Sequence, residues 1–392
     1  MKIALVCPAS LPATQFGGIL FLCVDIAREL SNENHDVTIY TTDLDFANNP
    51  KTFNKNLPRT EIIDKFKIKR SHVWLSFKLF FINPGMYFQM VRDDADIIHT
   101  VGVRSFQSYV AALAAKKKGI PLIISDQGGL TTHPDLRSNF LNKILYKCQK
   151  PMINFIINQA SKISVANEYE EKIFTECGAK SKIKIIRNGI NLRDFESVSV
   201  NFREKYDVKD RFILFVGRFS HIKGIDMLIR AISTIKDHPE MQKTKLVIMG
   251  VDFGFESTMI QMINEHKIED KVILIRKPPR EYVIAAYSLC EFLVLPSRWE
   301  LSPLTPLEGF AFKKPTISTW SHGIPHTVTN EETGILVEPE NHDQLAKAII
   351  ELLTNDEKRT KYGNAGYDLV RNTCNSKIMA KNTLQLYEET LH

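Results

Sequence analysis

The chain has 392 residues, 44% hydrophobic and 24% charged, with 18 Gly and 17 Pro. At roughly 100 to 200 residues per domain this predicts about two or three packed units, and the composition excludes fibrous and disordered classes. The formal charge of +6 suits anionic ligands or a membrane surface but falls far short of a nucleic-acid signature, so no nucleic-acid partner is expected.

The chain opens with a short apolar run, Lys2 to Cys7, predicted as a strand. Pro8 and Ser10 cut it off well short of a signal-peptide core, and no stretch reaches the roughly 18 apolar residues of a spanning helix. A loop with Pro8, Pro12 and the pair Gly17-Gly18 follows, then a helical pattern from Ile19 to Leu30 and a strand from Val37 to Thr41. Strand, Gly-bearing loop, helix and strand make a βαβ unit with parallel strands. The alternation recurs in strand Ile97 to Thr100, helix Ser105 to Lys118 and strand Pro121 to Ser125, then in strand Ile163 to Ala166, helix Glu168 to Cys177 and strand Ile183 to Ile186. The first half reads as a doubly wound α/β domain, assigned to residues 1–195.

Between Asn191 and Arg211 the periodicity dissolves, which marks a domain boundary. A second series spans residues 211–375, with strands Phe212 to Val216, Leu246 to Met249, Val272 to Ile275, Phe292 to Leu295, Thr316 to Thr319 and Gly334 to Val337. Its helices run from Gly224 to Ile235, from Pro306 to Phe312 and from Gln344, and a closing helix over 376–392 is expected to pack back on the N-terminal domain. Two such domains would face a central cleft lined by the carboxyl ends of both sheets, the default place for a ligand. The six cysteines, Cys7, Cys23, Cys148, Cys177, Cys290 and Cys374, lack any Cys-x-x-Cys pair or metal spacing, so reduced thiols and no metal are expected. Neither Gly-x-Gly-x-x-Gly nor a P-loop occurs, so phosphate chemistry must rest on other residues.

Three segments could carry it. Gly217-Arg218-Phe219-Ser220-His221-Ile222-Lys223-Gly224 brings a fork and a point charge to the end of a strand, where a diphosphate would need both; a solvated basic loop is the plain alternative. Pro296 to Gly309 holds two carboxylates, Glu300 and Glu308, and Thr305 reads as the cap of a helix with Pro306 at its first position. The amides from Leu304 onward would then suit a phosphate, while Thr305-x-x-Glu308 also reads as a capping box that would explain Glu308 without function. Arg187-Asn188-Gly189 is turn chemistry on its own.

Taken in order, these motifs resemble the GT-B glycosyltransferases, specifically the retaining glycosyltransferase family four, over nearly the whole chain. The likeness rests on Gly17-Gly18, on Asp96-Ile97-Ile98-His99, and on Asn188-Gly189-Ile190-Asn191 with Phe195. It continues in Gly217-Arg218 with Lys223-Gly224, in the pair Glu300 and Glu308, and in Thr333-Gly334-Ile335-Leu336-Val337. The resemblance implies an α/β fold of two Rossmann-like doubly wound domains and transfer of a hexosyl group from a nucleotide-diphosphate sugar to a glycan or lipid-linked acceptor. It implies that Arg218 and Lys223 hold the donor diphosphate with Gly17, Gly18, Gly217, Leu304 and Thr305, that Glu300 contacts the sugar, and that Glu308 contacts the ribose. Catalytic weight falls on Glu300, Arg218 and Lys223. It implies no metal, and further contacts to acceptor or sugar from His99, Gln127 and Asn188. Gln127 in Ser125-Asp126-Gln127-Gly128 stands where many relatives have His, and His326 stands where Glu is usual, so sugar specificity is the property most exposed to change. A noncatalytic nucleotide-sugar-binding subunit and a GT-B epimerase are the competing classes.

Arg59, Lys65, Lys67, Lys69 and Arg70 precede Trp74, Phe77, Phe80, Phe81, Tyr87 and Phe88. Cations beside an aromatic amphipathic segment would suit an anionic membrane; the expected location is cytoplasmic, with peripheral contact at the inner face of the cytoplasmic membrane. A solvated loop and a buried helix, with Lys78 and Pro84 as breaks, is the alternative for residues 59–91.

Overall fold

The computed structural model describes residues 1–45, 53–77, 80–127, 130, 140–179 and 182–392. Lys78 and Gly128, named above, lie outside the described residues. The chain divides into two compact units, Met1–Gly189 with Ser376–His392, and Ile190–Asn375.

The first unit is built on strands β1 (Lys2–Val6), β2 (Asp36–Thr42), β3 (Thr60–Ile63), β4 (Phe66–Ser71), β7 (Ile97–Val101), β8 (Leu122–Ser125), β9 (Lys162–Val165) and β10 (Ile183–Ile185), with a separate hairpin of β5 (Leu75–Phe77) and β6 (Phe80–Ile82). The eight sheet strands lie in the order β10-β9-β8-β7-β1-β2-β4-β3. Neighbours are parallel except β3, which runs antiparallel to β4 at the edge. β1 and β7 are near-continuous apolar runs because helices cover both faces of a parallel sheet. Helices α1 (Gly18–Asn32), α2 (Gly85–Arg92), α3 (Phe106–Lys118), α4 (Phe140–Gln159) and α5 (Glu168–Glu176) supply the cover. Ser105 caps α3 by accepting from the Ser108 amide, and Asn167 caps α5 through the Glu170 amide.

The second unit carries strands β11 (Arg211–Val216), β12 (Thr244–Gly250), β13 (Val272–Arg276), β14 (Leu293–Leu295), β15 (Thr316–Thr319) and β16 (Gly334–Val337) in a parallel sheet ordered β13-β12-β11-β14-β15-β16. Its longer helices are α6 (Ile225–Ile235), α7 (Glu256–His266), α8 (Arg280–Leu289), α9 (Leu304–Ala311), α10 (His342–Thr354) and α11 (Asp356–Asn372), beside two short ones at Phe202–Tyr206 and Pro239–Gln242. Phe215, Ile225, Ile229 and Ile248 are fully buried between sheet and helices; each such side chain contributes about 2–3 kcal/mol relative to exposure. β11 sits between β12 and β14, where the strand order reverses, so the loops leaving β11 and β14 flank a switch point, the usual place for a ligand in an open α/β sheet.

Two expectations change. The compact division falls at Gly189 and Ile190 rather than between Asn191 and Arg211, and Phe195 and Phe202 of that segment are buried in the core of the second unit. Residues 59–91 are strands, a hairpin and α2 rather than one amphipathic segment. Within them Arg70 is buried and paired with Glu61, Lys67 with Asp36 and Lys69 with Asp93, so much of that basic charge is already neutralised. Trp74, Leu75, Phe77 and Phe88 stay exposed. The last helix, α12 (Ser376–Leu391), packs on α1 in the first unit, and its Ser376 hydroxyl donates to Glu29 Oε1 at 2.8 Å.

Candidate active site

After β11 the chain runs through Gly217 and Arg218, buries Phe219 completely, and forms a 3-10 turn at His221–Lys223. Gly224 then takes φ +67 and starts α6. A Cβ there would lie 1.9 Å from the Pro296 carbonyl oxygen, so glycine is needed both for its conformation and for the approach of the next loop. Arg298 in that loop donates its backbone N–H to the Ile222 carbonyl at 2.8 Å, which fastens the two loops together. The Arg218 guanidinium stands 4.8 Å from the Phe253 ring centroid. Burial lowers its pKa and the Glu300 carboxylate opposes the shift.

Glu300 is the meeting point. Its Oε1 accepts from Lys223 Nζ in a close ion pair and from the fully buried Ser297 hydroxyl at 3.0 Å. Its carbonyl accepts from the Gly323 amide at 3.0 Å, and a Cβ on Gly323 would sit 1.7 Å from the Leu301 carbonyl oxygen. The backbone at Glu300 and Leu301 is thus held close against Gly323. Trp299 beside it packs on His322 at 3.8 Å between centroids, and His326 ends the turn Ile324–His326.

α9 begins at Leu304 with Pro303 as its cap residue and no side-chain cap bond, two residues earlier than the sequence pattern suggested. Thr305 is therefore the second helical residue, not the cap, and the capping-box explanation of Glu308 fails. The first three helical amides have no intrahelical acceptor, and Pro306, now third, has no N–H, which leaves the amides of Leu304 and Thr305 to meet an anion. Glu308 is 7% exposed; its Oε1 accepts from Arg280 Nη2 and its Oε2 from the Tyr287 hydroxyl, both at 2.6 Å. Burial works against the charge of Arg280, but the adjacent Glu308 outweighs it and raises the Arg280 pKa. Burial, then the Glu308 charge, pushes the Tyr287 phenol up, so it stays a donor. Each carboxylate oxygen keeps a further lone pair for a hydroxyl.

The loops that follow β11 and β14 of the second unit therefore hold Gly217, Arg218 and Lys223 on one side and Glu300 and the start of α9 on the other, joined by the Lys223–Glu300 ion pair. The residues singled out in the first unit are distributed differently. His99 is 1% exposed, with Nδ1 2.6 Å from the Tyr387 hydroxyl and Nε2 2.6 Å from the Ser125 hydroxyl. Both ring nitrogens are occupied and burial lowers the pKa to about 4, so His99 ties α12 to the sheet instead of presenting a group to a ligand. Gln127 and Asn188 form a reciprocal amide pair, each donating to the other at 2.9 Å, with Asn188 buried and Gln127 at φ +48. Gly17 caps α1 at φ +108 and Gly18 is its first residue.

Sequence reasoning passed over Arg280, Tyr287 and Arg298, whose partners lie in other loops. It also passed over Asp43 and His72, which follow the paired residues Thr42 and Ser71 of β2 and β4. Asp43 is buried; its Oδ2 lies 2.5 Å from His72 Nδ1 and its Oδ1 accepts from the Val73 amide at 3.1 Å.

Residues 16–194 match the model of Glycosyltransferase Family 4, and residues 200–369 match that of Glycosyl transferases group 1. An uncharacterised glycosyltransferase of Methanocaldococcus jannaschii is 23% identical over 96% of both chains. A GDP-mannose:cellobiosyl-diphosphopolyprenol alpha-mannosyltransferase of Xanthomonas oryzae pv. oryzae is 26% identical over 55% of this chain and 54% of its own length; the chain spans little more than half the length of some curated relatives it matches. Among solved structures, Anabaena HepE in complex with UDP and glucose superposes with a TM-score of 0.78 at 16% identity, over 99% of this chain and 100% of that one. The two matched models together span almost the whole chain, and the chain belongs to glycosyltransferase family four, with the GT-B fold.

Proposed function

We propose that the protein is a retaining hexosyltransferase that uses a nucleotide-diphosphate sugar and a glycan or lipid-linked glycan acceptor in the synthesis of cell-surface polysaccharide or glycolipid. The observation that carries this reading is the Lys223–Glu300 ion pair, with the Arg218 charge felt at Glu300 and the helix that opens at Leu304 following on the same loop. In the reaction the bond from the anomeric carbon to the β-phosphate oxygen breaks, and the acceptor oxygen bonds to the same face as its proton passes to the departing diphosphate. Negative charge grows on the leaving group. The two cations and the helix amides would stabilise it in place, the kind of preorganised electrostatics that supplies most of a rate enhancement. Glu300 would hold sugar hydroxyls, and Glu308, fixed by Arg280 and Tyr287, would accept from the ribose hydroxyls.

UDP with glucose in the Anabaena neighbour, and a polyprenol-linked acceptor in the name of the Xanthomonas relative, support the donor and acceptor classes. The first unit is proposed to receive the acceptor, with exposed Trp74, Leu75, Phe77 and Phe88 as its contact with an anionic membrane. Among the described residues no helix is long and apolar enough to cross one.

The test is Glu300→Gln, assayed for transfer and for donor hydrolysis with a panel of nucleotide sugars, with and without a chelator, and with the product anomer read by NMR. A drop of roughly a hundredfold is expected, with the donor's configuration kept in the product and no effect of the chelator. Unchanged rates would remove Glu300 from the reaction, and an inverted product would end the retaining assignment.

A further inference from the structure

Arg298 lies two residues before Glu300, and its side chain is 9% exposed. Every donor of its guanidinium is engaged. Nη1 donates to Asp226 Oδ1 and to the His221 carbonyl, both at 2.7 Å. Nη2 donates to Asp226 Oδ2 at 2.7 Å and to Glu340 Oε2 at 2.8 Å, and Nε donates to Glu340 Oε1 at 2.5 Å. A guanidinium has five N–H groups in a fixed plane, and here all five are used on three separate segments of chain. Glu340 reaches its place at φ +62, a left-handed conformation that a non-glycine residue holds only when its surroundings impose it.

These contacts converge on the turn that carries Lys223. The turn is three residues long, with Gly224 in a left-handed conformation after it, so by itself it has little to fix its height above the sheet. Arg298 grips its first carbonyl, at His221, and the first-turn carboxylate of the following helix, at Asp226, while its own backbone amide takes Ile222. Lys223 and Glu300 are thereby set opposite one another from two sides of one brace.

We propose that Arg298 is a positioning residue for the diphosphate site: it holds the His221–Lys223 turn in register with the Glu300 loop, so that Lys223 meets the second phosphate of the donor. The proposal rests on the nucleotide-sugar reading of that site. A brace that served stability alone would weaken all ligands alike when removed. In this proposal Lys223 takes the second phosphate and the α9 amides the first, so loss of a brace that places Lys223 would cost the second phosphate and spare the first.

The experiment compares UDP with UMP, GDP with GMP and ADP with AMP by calorimetric titration of the full chain, for wild type, Arg298→Lys, Asp226→Asn and Glu340→Gln. Lysine carries a point charge without a planar fork and cannot span the three segments, so Arg298→Lys is expected to lose roughly tenfold to a hundredfold in affinity for the preferred diphosphate, with the matching monophosphate unchanged. Glu340→Gln should show the same selective loss, smaller in size. Circular dichroism and thermal unfolding check that each variant is folded; the Glu340 side chain is 60% exposed, so that variant carries the test where the others do not fold. Folded variants that keep the wild-type ratio of diphosphate to monophosphate affinity, or that lose both equally, overturn the role of Arg298. A wild type with no preference for any diphosphate overturns the reading of the site itself.

Discussion

Glu170 offers a sharp test of the first unit because its charge state is set by burial. It is 2% exposed at the start of α5, its Oε2 accepts from the Ala166 amide at 2.8 Å, and Oε1 has no hydrogen-bond partner among the described residues. Burial, reinforced by the Asp126 carboxylate, lifts its pKa from 4.5 to about 8. The folded state therefore keeps a proton that the unfolded state releases between these values, so stability falls as pH rises through that window. At ~1.4 kcal/mol per unit the full fall is about 5 kcal/mol. His99 opposes it: its pKa drops from 6.5 to about 4, the unfolded state binds the extra proton, and stability rises with pH over that lower window by about 3 kcal/mol. The wild-type curve should then show partial cancellation below pH 6.5 and a decline of about 2 kcal/mol from there to pH 8. Glu170→Gln keeps an acceptor for the Ala166 amide and removes the titration. Its curve should rise to pH 6.5 and stay flat above. Amide hydrogen exchange across β9 and α5, expressed as protection at each pH, measures this for the local region without assuming that both units unfold together. Parallel curves for wild type and variant between pH 6.5 and 8 would refute the reasoning.

Two further outcomes are expected. Gly224→Ala would force a methyl toward the Pro296 carbonyl at 1.9 Å in a left-handed conformation, so it should cost roughly 2 kcal/mol or more and weaken nucleoside diphosphate binding; an unaltered melting temperature and affinity would contradict the loop geometry. The protein should sediment with vesicles rich in anionic phospholipid at low salt, and Trp74→Ala with Phe77→Ala should release it, because the exposed apolar side chains and not the paired lysines would hold it there; failure of the wild type to sediment removes the membrane contact.

The parallel strands were legible because a strand buried on both faces must be written as a run such as Ile-Ala-Leu-Val or Leu-Ile-Ile-Ser. β4 was not, since Lys67 and Lys69 interrupt its apolar residues and the pattern resembles a solvated loop until Ile68 is placed in the sheet. The start of α9 was misread for a local reason: Thr305, Pro306 and Glu308 imitate a capping box, whereas the helix begins two residues earlier with Pro303 as its cap residue. Arg218, Lys223 and Glu300 could be named from short motifs on two loops. Arg298 could not be assigned a place, because its partners Asp226 and Glu340 are 72 and 42 residues away and only the ends of β11, β14 and β16 bring them together. His99, a contact implied only by the family resemblance, lies in the middle of β7 with its two nitrogens against Tyr387 and Ser125, partners 288 and 26 residues away that no local pattern announces.

The return of α12 to the first unit bears on how the chain comes to be folded during synthesis. The second unit is continuous, from Ile190 to Asn375, and its two ends are joined, with the Ile190 amide donating to the Cys374 carbonyl at 3.1 Å. It can close as soon as those residues have left the ribosome. The first unit begins earlier but cannot finish, because Tyr387, the partner of buried His99, and Ser376, the partner of Glu29, are translated after the whole of the second. Until then the face of α1 that α12 covers stands open to water, so the half of the protein made first is completed last.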